Sequence, residues 1–344
     1  MIVTRRPGTP GAAARRATTI DVARLAGVSV GTVSNFLNQP DKVAPATREA
    51  VAHAIEMLDF VPNAQARALV QGWSRTVGVI ITDLANSFFV EMVRGAEEAA
   101  SGAGYTLLIA SSERSEVKQN KLLRVFDEAR LAGVLLAPFE AMSEYRDPEC
   151  LRLPSVVLNV ARPPQLGSSV VSDDELGGYI AAKHMIDAGR HSLLFVGGPT
   201  RLAPIRQRLL GVQRAVAEST RVRLTTSHVP FEDQNAEGAA IADDILRLEC
   251  DQRPDAVIST SDVVASAIIE GVHGILEVPR DLAVIGYDNN AAARDSLTSV
   301  TTVAQAGREM GLAAFNILRD ELAGSAEAYQ SISLPPRLIL RGSS

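Results

Sequence analysis

The chain has 344 residues, 46% of them hydrophobic, with 34 Lys and Arg against 40 Asp and Glu for a net charge of −6. That length and apolar content support a sizeable core and more than one domain, and no apolar run approaches the length of a membrane span. Two cysteines, Cys150 and Cys250, form no Cys-x-x-Cys pair, which argues against a disulfide framework and suits a reducing cytoplasm. The charge is unevenly spread. Residues 1–75 hold nine basic against five acidic residues, a net +4, and the remainder holds 25 against 35, a net −10. A basic head on an acidic body points to a polyanion at the head, although a solvated arm would account for four charges as well.

Residues 1–17, MIVTRRPGTPGAAARRA, carry two Arg pairs without an apolar h-region, so a basic disordered arm is expected rather than a secretory signal. In TTIDVARLA, residues 18–26, Val22, Ala23 and Ala26 recur at helical spacing with Ile20 and Leu25 alongside. Thr18 or Thr19 can cap that helix, and Asp21 suits the positive end of its dipole. Next comes GVSVG, residues 27–31, which fits the G-x-S-x-G pattern of a hydrolase nucleophile elbow. An elbow needs a buried strand before its Ser, and what precedes Ser29 is helical. Gly27 stands where a helix ends in a left-handed residue, and Ser29 stands as N-cap of a second helix, VGTVSNFLN. Two short helices about a tight Gly turn make a helix-turn-helix.

Asn38–Asp41 then form a turn, and Pro45 opens a third helix whose Val51, Ile55 and Leu58 close a small core with Val33 and Leu37. Ala44 takes the place of a capping Ser. Residues 61–72, VPNAQARALVQG, offer a fourth helix capped by Asn63, but Ala64–Val70 is too short to persist alone in water.

DVARLAGVSVGTVSNFLN, ATREAV and FVPNAQARAL together resemble the head of the bacterial lac-repressor (LacI/GalR) transcription-factor family, contiguously over about 50 residues. The resemblance implies that the second helix enters the DNA major groove. Val30, Gly31 and Asn35 then face the bases, and Thr32, Ser34 and Asn38 lie at phosphates, with Thr18 among the contacts. Asn pairs bidentately with adenine and Val meets a thymine methyl. Asn35 stands where Arg is commonest in the family, and Gly31 has no side chain to read a base. Direct readout is therefore thin, with more affinity left to phosphates. Helix packing is the competing role for Val30. Asn63, Ala66 and Leu69 match the family's hinge helix, where Leu69 wedges between central base steps in the minor groove. A linker residue packed on the body is the alternative for Leu69.

From Thr76 the chain alternates β-rich runs with helical stretches: TVGVIIT, YTLLIA, GVLLAP, SVVLNV, SLLFVGG, AVIST and LAVIGYD, with PRLIL as a last strand. That alternation predicts parallel sheets flanked by helices, in two α/β subdomains. The G-x-G-x-x-G dinucleotide fingerprint follows none of the runs, which disfavours a Rossmann dehydrogenase. Asp83, Asn159, Asp262 and Asp288 stand at C-terminal ends of strands, where open α/β sheets place ligands.

The body resembles the same family throughout, and so a type I periplasmic-binding-protein-like fold of two subdomains joined by three crossing strands. The resemblance implies an effector site of Phe88, Phe89, Asn159, Arg208, Ser261 and Asp288. NSFF, residues 86–89, carries Ser87 in place of the family's Pro. Asn159 stands where many relatives have Asp, and Ser261 where Asn is usual. An Arg, a carboxylate, small amides and an aromatic face together suit a sugar. Other roles remain open: a core position for Phe88 or Phe89, an internal ion pair for Arg208 and Asp288, a helix cap for Asp262, and the cleft rim for Arg114.

The expected organisation is an arm over 1–17, an all-α helix-turn-helix head over 18–60, and a hinge helix and linker over 61–75. An effector-binding and dimerisation body covers 76–344. Its first subdomain spans about 76–171 and 304–330, and its second about 172–303 and 331–344. The expected function is a cytoplasmic repressor binding pseudo-palindromic double-stranded operator DNA as a homodimer, gated by a small sugar-like effector. No metal, cofactor, membrane contact or catalytic residue is expected, since none of the five His has a metal spacing. A dimer rather than a tetramer is expected, because no heptad tail follows PRLIL. A solute-binding protein of a transporter shares the body fold and is the alternative.

Overall fold

A computed structural model describes residues 17–61, 74–139 and 152–344. The hinge residues Asn63, Ala66 and Leu69 and the arm over 1–16 lie outside the described residues. The chain divides into two compact units at residues 72 and 73.

In the first unit, α1 (Thr19–Ala26) begins at Thr18, which settles the choice of cap. The Thr18 side chain accepts from the Asp21 backbone, and Asp21 Oδ2 accepts from the Thr18 backbone at 2.9 Å, a reciprocal capping box. Gly27 ends α1 at φ 65°, a left-handed conformation suited to glycine. α2 (Val30–Asn38) follows, and α3 (Pro45–Met57) starts with Pro45 at its first turn and no side-chain cap from Ala44. Val22, Val33 and Val51 are each fully buried, with Ala23, Ala54 and Phe60 completing the core and Leu37, Ile55 and Leu58 packed at its edge. Ile20 and Leu25, apolar neighbours of those positions in the sequence, are exposed, because a helix of eight residues turns less than half its surface inward.

The second unit contains two six-stranded sheets. In the order β11-β5-β4-β3-β1-β2, the first consists of Thr76–Ile81 (β1), Thr106–Ser111 (β2), Gly133–Leu136 (β3), Ser155–Leu158 (β4), Ser169–Ser172 (β5) and Ser331–Leu334 (β11), all parallel. The second runs β12-β10-β9-β8-β6-β7. Its strands are Ser192–Gly197 (β6), Arg223–His228 (β7), Ala256–Ser259 (β8), Ala283–Tyr287 (β9), Thr301–Ala304 (β10) and Arg337–Ile339 (β12). β12 is antiparallel to β10. Central strands such as Gly133–Leu136 and Ala256–Ser259 are buried along their whole length, as sheets covered on both faces require.

Helices α4 (Ser87–Gly102), α5 (Glu116–Glu128) and α11 (Gly307–Leu322) cover the first sheet. The second is covered by α6 (Asp174–Asp187), α7 (Ala203–Ala217), α8 (Gln234–Arg247) and α9 (Asp262–Val272), with the short α10 (Ala291–Asp295) at its edge. The chain passes between sheets after β5, after β10 and after β11. The expected boundary at 330 and 331 is therefore wrong: Ser331–Leu334 belongs to the first subdomain, and the chain crosses only after Leu334. Its SISL pattern is half exposed, and its alternating Ile332 and Leu334 pack against the first subdomain's core, too short a signal to place it from the sequence. Pairing with β5 decides its place, through Ser169 N to Gln330 O at 2.8 Å and Asp173 N to Leu334 O at 2.9 Å.

Candidate functional site

Ser29 answers the question that GVSVG raised. Its Oγ accepts from the Thr32 backbone at 3.1 Å and lies 2.9 Å from the Thr32 hydroxyl, so it caps α2 and follows a helix rather than a strand. α2 buries Val33 and turns a different face outward. Val30 is 45% exposed, so the packing alternative for it fails. Gly31 and Asn35 are exposed beside it, with Thr32 and Ser34 half-buried. A Cβ on Gly31 would meet nothing nearer than Ser29 Oγ at 3.7 Å. The helix thus offers a shallow surface on which the Asn35 amide is exposed. Asn38 closes the helix.

In the second unit, loops at the C-terminal ends of β1, β4, β8, β9 and β10 enclose a cleft between the subdomains. Its cavity volume is about 110 Å3, several times what one water needs. Phe88, Phe89, Asn159, Arg208, Ser261 and Asp288 all line it. Phe88 and Phe89 are also members of the first subdomain's core, with ring centroids 5.3 Å apart, so the core and cleft roles coincide.

Asp288 does not pair with Arg208. Its two oxygens accept from Asn86 Nδ2 of the other subdomain at 2.9 Å and from Gln305 Nε2, in the crossing segment after β10, at 2.7 Å. Asp288 holds this position at φ 95°. Arg208 is buried and pairs instead with Asp174, Nε to Oδ1 at 2.8 Å, while Nη1 donates to Thr260 O at 3.1 Å. Its guanidinium lies 3.6 Å above the centre of the Tyr287 ring. Burial alone would lower the Arg208 pKa, but Asp174, Tyr287 and Asp288 outweigh it, so the guanidinium stays charged above its ordinary range.

Ser261 is the N-cap of α9 and donates to Gln234 Oε1 at 2.6 Å. Asp262, weighed as a cap, is instead the first residue inside α9, fully buried and without a place in the cleft lining. Its Oδ2 accepts from the Asn290 backbone at 2.8 Å. Three buried oxygens of cleft residues, Asn159 Oδ1, Thr260 Oγ1 and Gln305 Oε1, have no hydrogen-bond partner among the described residues. Buried polar groups of this kind are costly unless a partner meets them.

Sequence reading missed Asn86, Asp174, Tyr287 and Gln305. Asn86 was present in NSFF, but it resembles an ordinary helix cap, and it does cap α4 through Phe88 N at 3.0 Å. Asp174 lies in an acidic run of three, Asp173–Glu175, typical of a helix start. Gln305 follows β10, a polar strand that hydrophobicity does not reveal. Among the described residues no three His, Cys, Asp or Glu gather as metal ligands, and no helix is long and apolar enough to cross a membrane.

Residues 18–63 match the family described as "Bacterial regulatory proteins, lacI family", and residues 182–344 match "Periplasmic binding protein-like domain". The chain is 32% identical over 331 residues to the HTH-type transcriptional repressor PurR of Photobacterium profundum, covering 95% of this chain and 98% of that one. It is 31% identical over 328 residues to PurR of Vibrio vulnificus, covering 94% and 98%. Among solved structures, the transcriptional regulator CelR in complex with cellobiose aligns at a TM-score of 0.70 and 28% identity, covering 96% of this chain and 100% of that one. The lac repressor dimer bound to operator and the anti-inducer ONPF aligns at 0.84 and 24% identity, covering 96% and 99%.

Proposed function

The chain belongs to the lacI family of bacterial regulatory proteins, and from that premise we propose that it is a transcriptional repressor gated by a small molecule in its cleft. It binds a pseudo-palindromic operator as a homodimer in the cytoplasm, two heads matching two half-sites. Val30, Gly31 and Asn35 meet base edges, and Thr18, Thr32, Ser34 and Asn38 meet the backbone. Asn63, Ala66 and Leu69 engage the minor groove. The observation that carries this reading is one chain joining a capped helix-turn-helix with an outward second helix to a two-subdomain cleft. A transporter's solute receptor has no use for such a head.

The effector is an uncharged molecule rich in hydroxyl groups. The orphan amide oxygens of Asn159 and Gln305 need donors, which hydroxyls supply and an ionised carboxylate does not, and the Thr260 hydroxyl pairs with a hydroxyl as donor or acceptor. Arg208 offers remaining N–H groups, yet its charge is already matched by Asp174, which lessens the pull on an anion. Phe88 and Phe89 supply an apolar wall.

A thermal-shift screen of neutral sugars and polyols against their phosphates tests the cleft. A neutral compound at 100 times its dissociation constant stabilises by roughly 2.7 kcal/mol, and phosphates do not. Asp288→Ala then weakens the compound found by about 1.5–3 kcal/mol, the loss of a charged hydrogen-bond partner and of the amides it aligns. Tighter binding of a phosphate by Asp288→Ala would identify an anionic effector instead. Selection from random duplex DNA tests the head: enrichment of a palindrome by the full chain and none after deletion of residues 1–75 is the expected result.

A further inference from the structure

We infer that Arg114 is a latch that ties the two subdomains together across the cleft, with Asp83 as the residue that positions it. Arg114 is anchored in the first subdomain. Its backbone N donates to Thr82 O at 3.2 Å, and Nη2 pairs with Asp83 Oδ2 at 2.7 Å. Its Nη1 donates to the carbonyl of Phe231, in the second subdomain.

The place of this bond in the fold gives it leverage. Arg114 follows β2, the edge strand of the first sheet, and Phe231 follows β7, the edge strand of the second. The crossings between subdomains leave from β5, β10 and β11, at the opposite edges. The Arg114–Phe231 bond therefore spans the cleft at the end remote from the hinge, where a small rotation produces the largest separation. Of the bonds to Asp288, the one from Asn86 also spans the cleft, but from β1 to β9, strands nearer the hinge than β2 and β7, while Gln305 lies in a crossing segment itself.

Both ends of the latch are held in one conformation. Glu113, Arg114 and Phe231 adopt φ of 51°, 59° and 66°, left-handed values that non-glycine residues keep when their surroundings impose them. The Phe231 ring packs on both cores of the second subdomain and sits over Gly198, where a Cβ would come within 2.7 Å of it. The carbonyl direction is thus set by packing, and the guanidinium direction by Asp83. A bond between two rigid ends is either made or broken, which is the property a two-state closure needs. Arg114 lines the cleft as well, and its latch role requires no contact with an effector. Its consequence for gating rests on the regulator reading above; the latch itself does not.

The test uses the full-length chain with Cys150→Ser and Cys250→Ser, spin-labelled at Val117→Cys and Asn235→Cys, exposed positions on the two lips, and no effector. Electron–electron resonance distances are compared in this background and with Arg114→Gln, Arg114→Lys and Asp83→Asn added. The expected result is a short distance that Arg114→Gln shifts to longer values, Asp83→Asn shifts less, and Arg114→Lys partly restores. A second label pair at Arg221→Cys and Asn235→Cys, within the second subdomain, stays unchanged. An unaltered lip-to-lip distance in Arg114→Gln overturns the latch, and so does a lengthening matched within the second subdomain. A chain that opens as expected yet selects no operator sinks the regulator reading and leaves the latch standing.

Discussion

Asp262 carries a titration that the family resemblance does not suggest. It is 0% exposed, and its Oδ1 has no partner among the described residues. That atom sits so close over Gly286 that a Cβ there would lie 2.2 Å from it. Burial pushes its pKa up to about 8, opposed by the Thr302 hydrogen bond and assisted by the Asp288 charge. The folded state then holds the proton more tightly than the unfolded chain, whose value is near 3.8. The stabilisation is complete below about pH 4 and is lost as pH rises through about 8. Denaturation midpoints between pH 5 and 9 are expected to fall with pH in the parent protein and to fall less in Asp262→Asn, which keeps an acceptor for Asn290 N. A parallel fall in both would assign the pH dependence elsewhere. Ser29→Ala is a quieter change: loss of the cap costs the head about 1 kcal/mol, measured by denaturation of the head.

Helix pairs set the cleft side chains through glycines at their crossings. A Cβ on Gly178 in α6 would approach Arg208 O in α7 to 1.9 Å, and one on Gly211 would approach Glu175 O to 1.9 Å. Close approach of these backbones is what puts Asp174 of α6 beside Arg208 of α7. Gly178→Ala is therefore expected to separate the helices, lower the unfolding midpoint of the body and weaken effector binding together. Overpacking of this kind typically costs about 1–3 kcal/mol. Gly102→Ala, whose Cβ would meet nothing within 4 Å, is the control and leaves both unchanged. If Gly178→Ala bound effector like the parent, the crossing would not position Arg208.

At the scale of the whole molecule, two opposed charges govern encounter with DNA: a head of +4 over residues 1–75 and a remainder of −10. Phosphate contacts release counterions, so operator affinity is expected to fall steeply with salt, with a log–log slope of about −0.9 for each phosphate neutralised. A slope near zero in binding titrations would place recognition outside this electrostatic surface. Effector and operator are coupled through one chain, so an effector that weakens DNA binding by some factor is itself bound more weakly, by that factor, on DNA. Unequal factors in the two titrations would mean a third equilibrium, such as dimer dissociation.

Local chemistry made much of this protein legible in advance. Thr18, Gly27, Ser29 and Pro45 act within a few residues of themselves, so caps, turn and helices of the head follow from short-range hydrogen bonding and φ. Buried strands such as GVLL and AVIS announce themselves because both of their faces are apolar. Tertiary structure decided the rest. RLTTSH and SISL are edge strands with little buried surface, so neighbouring backbones rather than their own residues make them strands. The partner of Arg208 is Asp174 and not Asp288 because α6 and α7 cross at glycines, while Asp288 is taken by Asn86 from the opposite subdomain and Gln305 from a crossing segment. The Arg208–Asp174 pair, the Arg114–Phe231 latch and the Asn86–Asp288 bond join residues 34, 117 and 202 positions apart. At such separations local chemistry is silent, and packing brings the groups together.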